Sequence, residues 1–220
     1  MAKKEEKVKI KDLHLQQWID RHAPKSASQL AVNAKKVGEV KTWLEFNLKA
    51  KNPGILLLVG PPGSGKTATV KVLAQEMNCH IQEWSNPLEN VDYSANQINE
   101  IPYVSQSKSF KNFMLRANKY LSLGHGNSKL ILLEDLPNFI HKNLDEFHSV
   151  LKNGTRLFPI VIIQTDDQRV KDILPTEFIE EVAIHIINFN AVTATNLAKV
   201  LGNIAQLEKM PLPGLIFTRL

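Results

Sequence analysis

Residues 60–67, GPPGSGKT, decide the fold that this sequence predicts. They directly follow five apolar residues, Ile55–Val59, and they open residues 66–77, in which apolar side chains recur at helical spacing. A buried parallel strand, a glycine-rich turn and a helix, in that order, are the setting in which a G-x-x-x-x-G-K-T match becomes a phosphate site. The sequence therefore predicts a strand, loop and helix that together bind a nucleotide.

The residue types of this loop each have a chemical reason. Glycines let backbone N–H groups approach phosphate oxygens without a Cβ in the way, and the helix N-terminus adds partial positive charge. Lys66 is predicted to reach the β- and γ-phosphates, and the Thr67 hydroxyl is predicted to ligate Mg²⁺. The predicted nucleotide-binding residues are Gly60, Pro61, Pro62, Gly63, Ser64, Gly65, Lys66, Thr67 and Ala68.

A second motif, KLILLEDLP at residues 129–137, ends an apolar strand with Glu134 and Asp135. Nucleotide-hydrolysing enzymes usually end such a strand with Asp and then Glu, so the order here is inverted. Exchanging the two residue types moves each carboxylate by about one bond, ~1.5 Å. Because catalysis by positioning is sensitive to such a displacement, we expect firm binding and slow turnover. The alternative is a strand that simply ends in solvent.

The remaining chain alternates strands with helices. Strand patterns cover residues 79–84, 130–133, 160–164 and 183–189, and helical patterns cover residues 106–121, 143–151 and a segment begun by Thr193 as N-cap. Such alternation predicts an α/β fold, a three-layer parallel sheet with helices on both faces. The acids lie on the third strand, which suits P-loop ATPases with an additional strand and not small-molecule kinases.

Composition excludes several other classes. The chain has 220 residues, is 43% hydrophobic and carries a net charge of +5, which fits a globular intracellular protein. No apolar run approaches the ~18 residues that a bilayer span needs, so no membrane partner is expected. The one cysteine, Cys79, excludes an internal disulfide, and the seven histidines lack ligand spacing.

Several short motifs carry a resemblance to a known family. WIDRHAP (residues 18–24), QEWSNP (82–87), LLEDLPN (132–138) and INFNAV (187–192) are similar to replication-factor-C-type clamp loaders, in the branch of the large subunit of the DNA-damage checkpoint clamp loader. The resemblance implies an AAA+ ATPase core over residues 18–207. Residues 1–17 would then be a basic N-terminal tail, and residues 208–220 an irregular C-terminal tail.

The resemblance also implies cofactors, partners and residue roles. ATP and Mg²⁺ would be the cofactors, with Glu134 and Thr67 at the metal, Asp135 orienting the attacking water and Lys66 on the phosphates. Thr165 would sense the γ-phosphate, although an ordinary capping threonine fits as well. The partners would be the small replication-factor-C subunits in a hetero-pentamer, a ring-shaped checkpoint clamp, and primed or damaged DNA held by its phosphates, in the nucleus.

The sequence departs from that family in two places. Arg21, His22 and Ala23 precede Pro24, where such loaders usually have a Lys-Tyr pair on the adenine side. The stretch after Phe189 suffices for about one helix, so we expect the helical lid to be missing. Two functions remain open: an ATP-driven loader subunit with slow hydrolysis, or a truncated, catalytically weak core that acts as an interaction protein. A stand-alone nucleotide kinase is disfavoured.

Overall fold

Long apolar runs form the strands of this chain because both faces of its sheet are covered. The computed structural model describes residues 17–86, 105–119, 128–153, 157–165 and 167–210. Its five-stranded sheet has the order β2-β3-β4-β1-β5, and every neighbouring pair is parallel. The strands are β1 (Ile55–Val59), β2 (His80–Glu83), β3 (Lys129–Leu133), β4 (Ile160–Gln164) and β5 (Ile184–Asn188). The predicted α/β fold is confirmed.

Helices connect these strands and cover the sheet. Within the described ranges they are α1 (Trp18–Arg21), α2 (Ala34–Asn47), α3 (Lys66–Glu76), α4 (Gln106–Lys119), α5 (Leu144–Asn153), α6 (Asp167–Ile173), α7 (Thr176–Val182) and α8 (Ala194–Leu207), with short 3-10 helices at Ala27–Gln29 and Asn138–His141. Thr193 caps α8 as predicted, since its hydroxyl accepts a hydrogen bond from the backbone N–H of Asn196 at 3.3 Å. None of the described helices is long and apolar enough to cross a membrane.

The alternation of side chains along β1 divides the interior into two cores. Ile55, Leu57 and Val59 face a core built with α4, α5 and α7, whose largest buried side chains include Phe110 and Phe147. The intervening strand residues face a second core that α2 and α3 cover, and in which the α2 residue Leu44 is fully buried. Helices therefore lie on both faces, as a three-layer fold requires.

The strand order explains how distant motifs meet. β4 lies between β1 and β3, with Val59 opposite Gln164 and Leu133 opposite Ile162. This is the additional-strand arrangement that the position of the acids predicted. Because the strands are parallel, the loop after β1, the acids after β3 and Thr165 after β4 all lie at one edge of the sheet.

Candidate nucleotide-binding site

The glycine loop is fixed by close packing on both of its sides. Gly60 has a φ of +155°, and a Cβ there would lie 2.2 Å from the backbone oxygen of Phe189. Gly65 has a φ of +85° at the N-cap of α3, and a Cβ there would lie 2.4 Å from Cγ2 of Val32. Both positions therefore require glycine for conformation and for space. Pro61 is exposed on the outer side of the loop, and Pro62 is exposed beside it.

Lys66 lies at the centre of the loop with a side chain that is almost fully enclosed. Its Nζ donates hydrogen bonds to the carbonyl oxygens of Gly60 at 2.7 Å and Pro61 at 2.9 Å, and it lies 3.2 Å from the hydroxyl of Ser64. Burial lowers the pKa of this ammonium group, because desolvation disfavours the charged form. Phosphate oxygens that enter the loop can replace the two carbonyl acceptors and restore the lost solvation of the charge.

Thr67 and Glu134 meet although 67 residues separate them. The threonine hydroxyl donates a hydrogen bond of 2.6 Å to Oε1 of the carboxylate. A hydroxyl and a carboxylate oxygen at one point suit Mg²⁺, which prefers oxygen ligands and completes its shell with water and phosphate. Thr67 and Glu134 thus fit the implied metal, and the structure brings together the two residues that were predicted to ligate it.

A lysine that the sequence reading missed adjoins this pair. Nζ of Lys71 lies 3.8 Å from Oε2 of Glu134 and 3.2 Å from Oε2 of Glu83, with its side chain half exposed. Lys71 follows Thr67 by one helical turn, and residues at that spacing share a helix face. That spacing was the available signal, and it went unused.

The other two predicted catalytic residues lie at the same edge with less contact. The Asp135 side chain is exposed directly after Glu134. Thr165 is also exposed, and it follows Gln164, whose carbonyl oxygen accepts a hydrogen bond of 3.3 Å from the Gly60 N–H. Thr165 is therefore next to the residue that joins β4 to the phosphate loop. The water-orienting and sensing roles stay predictions.

A cavity of about 360 Å³ opens beside the phosphate loop. The loop and α3 line it with Gly63, Gly65 and Ala68, so Ala68, a predicted nucleotide contact, is part of the cavity wall. Further walls come from residues 17–33, which precede α2 and are called the leading segment, and from α8. The lining residues of these two walls include Arg21, His22, Lys25, Val200, Asn203, Ile204 and Leu207. A cavity of this kind next to a phosphate loop is where the base and ribose of a nucleotide fit.

The participation of α8 in this wall was not predicted. Glu208, directly after α8, accepts hydrogen bonds from Arg21 and His22, which line the cavity. No spacing rule connects positions so far apart, so nothing local in the sequence could have found this contact.

Comparison with known proteins agrees with this geometry. Residues 10–174 match the family described as the Rad17 P-loop domain. The chain belongs to the Rad17 P-loop domain family. Membership in a P-loop family implies nucleotide binding with a divalent metal.

Curated relatives of this Rad17 P-loop chain are checkpoint proteins. It is 36% identical over 216 residues to the human cell cycle checkpoint protein RAD17, covering 87% of this chain and 32% of that one. It is 27% identical over 237 residues to the Schizosaccharomyces pombe checkpoint protein rad17, covering 92% and 38%. A shorter match, 40% identity over 68 residues, joins it to the replication factor C large subunit of Pyrococcus abyssi, covering 30% and 14%. The chain spans about a third of the length of the RAD17 proteins that it matches.

Solved structures share the fold at low sequence identity. The Orc1 protein of Aeropyrum pernix, solved in complex with DNA, superposes with a TM-score of 0.58 at 16% identity and covers 90% of this chain and 53% of that one. The Holliday junction branch migration motor RuvB of Thermotoga maritima gives a TM-score of 0.51 at 19% identity, covering 86% and 55%. At such identities the likeness concerns the fold alone, which is the AAA+ type of P-loop NTPase.

Proposed function

We propose that this chain is the ATP-binding core of a checkpoint clamp-loader subunit that hydrolyses ATP slowly by itself. In that role it assembles with the small replication-factor-C subunits and helps to place a ring-shaped clamp on primed or damaged DNA in the nucleus. The observation that carries the proposal is the contact of 2.6 Å between Thr67 and Glu134 beside a loop that holds Lys66. Family membership and the similarity to RAD17 proteins support it.

Slow hydrolysis follows from the order of the two acids. Glu134 takes the metal-associated position with the longer side chain, which leaves the shorter Asp135 to reach the attacking water. A carboxylate that falls short by ~1.5 Å orients water poorly, whereas it leaves phosphate binding intact. ATP binding without fast turnover lets the nucleotide act as a switch of subunit geometry. A turnover on the order of 10 per second by the isolated chain would contradict this proposal.

Titration with labelled ATP and Mg²⁺ tests the binding step. Lys66→Ala removes a charged donor to phosphate, so its affinity should fall by about 10–100-fold. Lys51→Ala is the matched control, since Lys51 is exposed and precedes β1, whereas the loop follows the other end of that strand. Equal affinity in the wild type and Lys66→Ala, or no binding by either, would contradict the ATP-binding role.

Assembly requires a second measurement. The chain should be mixed with the small replication-factor-C subunits, and ATP hydrolysis should be followed with and without primed DNA. Stimulation that depends on both additions, and that is lost in Lys66→Ala, is the expected result. A complex that forms equally well with Lys66→Ala and never hydrolyses ATP would instead support an interaction protein.

The interaction-protein alternative has one specific observation in its favour. Lys71 lies within ion-pair distance of Glu134, at 3.8 Å, and so competes with Mg²⁺ for the carboxylate. Together with the inverted acids, this contact favours a catalytically weak core that binds loader partners. An interaction protein should bind the small subunits equally well with and without nucleotide, whereas an ATP-driven subunit should bind them better with ATP.

A further inference from the structure

The end of α8 is tied to the leading segment by a part-buried cluster of charged and polar side chains. Oε1 of Glu208 accepts a hydrogen bond of 2.6 Å from Nη1 of Arg21 and lies 2.8 Å from Nε2 of His22. The side chains of Arg21, His22 and Glu208 are 14%, 9% and 19% exposed. Arg21, and then His22, hold the pKa of the Glu208 carboxyl below its usual value, so the carboxylate is ionised at neutral pH.

The same cluster borders the cavity beside the phosphate loop, where the base of a nucleotide would fit. Arg21 and His22 line the cavity from the leading segment, whereas Ile204 and Leu207 line it from the last turns of α8. Glu208 follows Leu207 directly, so its contacts join the two walls that these elements contribute to the cavity. The residues in these two contacts are 187 and 186 positions apart in the sequence.

α8 is only partly buried along its length. None of its residues is fully buried, although Val200 and Ile204 are half-buried, and in its N-terminal half Nδ2 of Asn196 donates a hydrogen bond of 3.0 Å to the carbonyl oxygen of Ala31. A helix whose apolar side chains are only half-buried gains limited stability from packing, so contacts at its ends contribute to its position. The Glu208 cluster therefore helps to determine where the C-terminal half of α8 lies.

We infer that Glu208 is a positioning residue that latches α8 onto the leading segment, and that a nucleotide base in the cavity and this latch stabilise one another. The inference rests on the proposed nucleotide binding. A base that contacts both walls binds the latched arrangement better than an open one, and by thermodynamic reciprocity its binding favours the latch. The phosphate loop should gain little from the latch, because its hydrogen bonds lie within residues 60–69 and at the end of β4, and its neighbour in the leading segment, Val32, comes ten residues after His22.

Two ligands separate the base side from the phosphate side. We expect Glu208→Gln to lower the affinity for ATP about 5–10-fold, the lower part of the usual range of coupling for a partly exposed cluster. The affinity for inorganic triphosphate, which has no base, should stay within about twofold of the wild type. Glu45→Gln is the matched control, since Glu45 is an exposed residue of α2 outside the cavity lining.

Hydrogen exchange of the backbone provides a second readout. In the wild type, ATP should slow exchange over residues 194–210, and inorganic triphosphate should not. In Glu208→Gln, saturating ATP should no longer slow hydrogen exchange over residues 194–210. A residue that only stabilised the fold would lower the affinities for ATP and triphosphate together, and it would leave their ratio unchanged.

The possible failures are distinguishable. If the wild type binds neither ATP nor triphosphate, the proposed function fails and the latch fails with it. If the wild type binds both, and Glu208→Gln binds ATP with unchanged affinity or loses both ligands equally, only the latch is overturned. Retained triphosphate binding by Glu208→Gln also shows that the variant is folded around its phosphate loop.

Discussion

The two ends of the candidate site are built in opposite ways. At the phosphate end, one contiguous loop holds Lys66 through backbone carbonyls and packs two glycines against neighbouring chain. At the base end, side chains from the leading segment and from α8 form the wall, and Glu208 joins them across 187 residues. The phosphate end is specified by neighbouring residues and the base end by tertiary contacts. Mutations at the phosphate end should therefore weaken binding of both ATP and triphosphate, whereas mutations at the base end should weaken binding of ATP alone.

The largest effect is expected at Gly60, in the phosphate end. Gly60→Ala places a methyl group 2.2 Å from the backbone oxygen of Phe189, which no side-chain rotation can relieve. The free energy of unfolding should fall by about 3 kcal/mol or more, and both ATP and triphosphate binding should be lost. Chemical denaturation and titration measure the two losses.

Gly63→Ala is the matched control for Gly60→Ala. Gly63 also has a positive φ, +73°, but a Cβ there meets nothing within 4 Å. The cost should therefore be limited to about 1–2 kcal/mol of backbone strain. Equal losses in the two variants would show that close packing of the loop against β5 is not what makes Gly60 necessary.

The second-largest effect is expected on Mg²⁺-dependent ATP binding, at Glu134 after β3, where it meets Thr67 of the loop. Glu134→Gln keeps an oxygen that can accept the Thr67 hydrogen bond but removes the charge, so Mg²⁺-dependent ATP affinity should fall about tenfold. Binding measured with a chelator should not change. Glu83→Gln is the control, since Glu83 shares the Lys71 contact and does not touch Thr67. A tenfold loss in both variants would assign the effect to Lys71.

A smaller effect is expected in the apolar wall of the base end. Ile204→Ala removes methyl groups from the cavity, and a loss of about 1 kcal/mol corresponds to roughly fivefold weaker ATP binding. Calorimetry with triphosphate should show no change. Leu115→Ala serves as control, because Leu115 is exposed on α4 outside that cavity. An equal loss for triphosphate would break the division of the site into two ends.

The smallest effect is expected at the N-terminus of α8. Thr193→Ala removes the capping hydroxyl and should destabilise α8 by about 1 kcal/mol, which hydrogen exchange over residues 194–200 detects. ATP affinity should fall by no more than about twofold, since the cap lies at the end of α8 that is distant from Glu208. Thr193→Ser keeps the hydroxyl and should behave as the wild type. Faster exchange in both variants would argue against the capping contact.

Local sequence patterns were enough to predict those strands and helices whose own residues show a clear apolar pattern. β1 and β4 have the predicted bounds, since continuous apolar runs between turn residues are typical of strands covered on both faces. α2, α6 and α7 went unpredicted. α2 begins with Ala, Lys, Lys and Val and includes Gly38, so its apolar face is weakly marked although Val40 and Leu44 are fully buried. Val37, Val40 and Leu44 nevertheless recur at helical spacing after the N-cap Asn33, so the sequence holds a signal for α2 that the prediction did not use.

By itself, the sequence determined the glycine loop, the strand that precedes it and the helix that Lys66 begins, because glycine conformation and helix start depend on neighbouring residues. The roles of Lys66 and Thr67 toward a nucleotide are predictions from the same loop. The tertiary structure decided that β4 separates β1 from β3, that Glu134 reaches Thr67, and that Glu208 joins Arg21 and His22. These contacts depend on strand order and helix placement, which the burial of two cores sets over the whole chain. No local spacing records them.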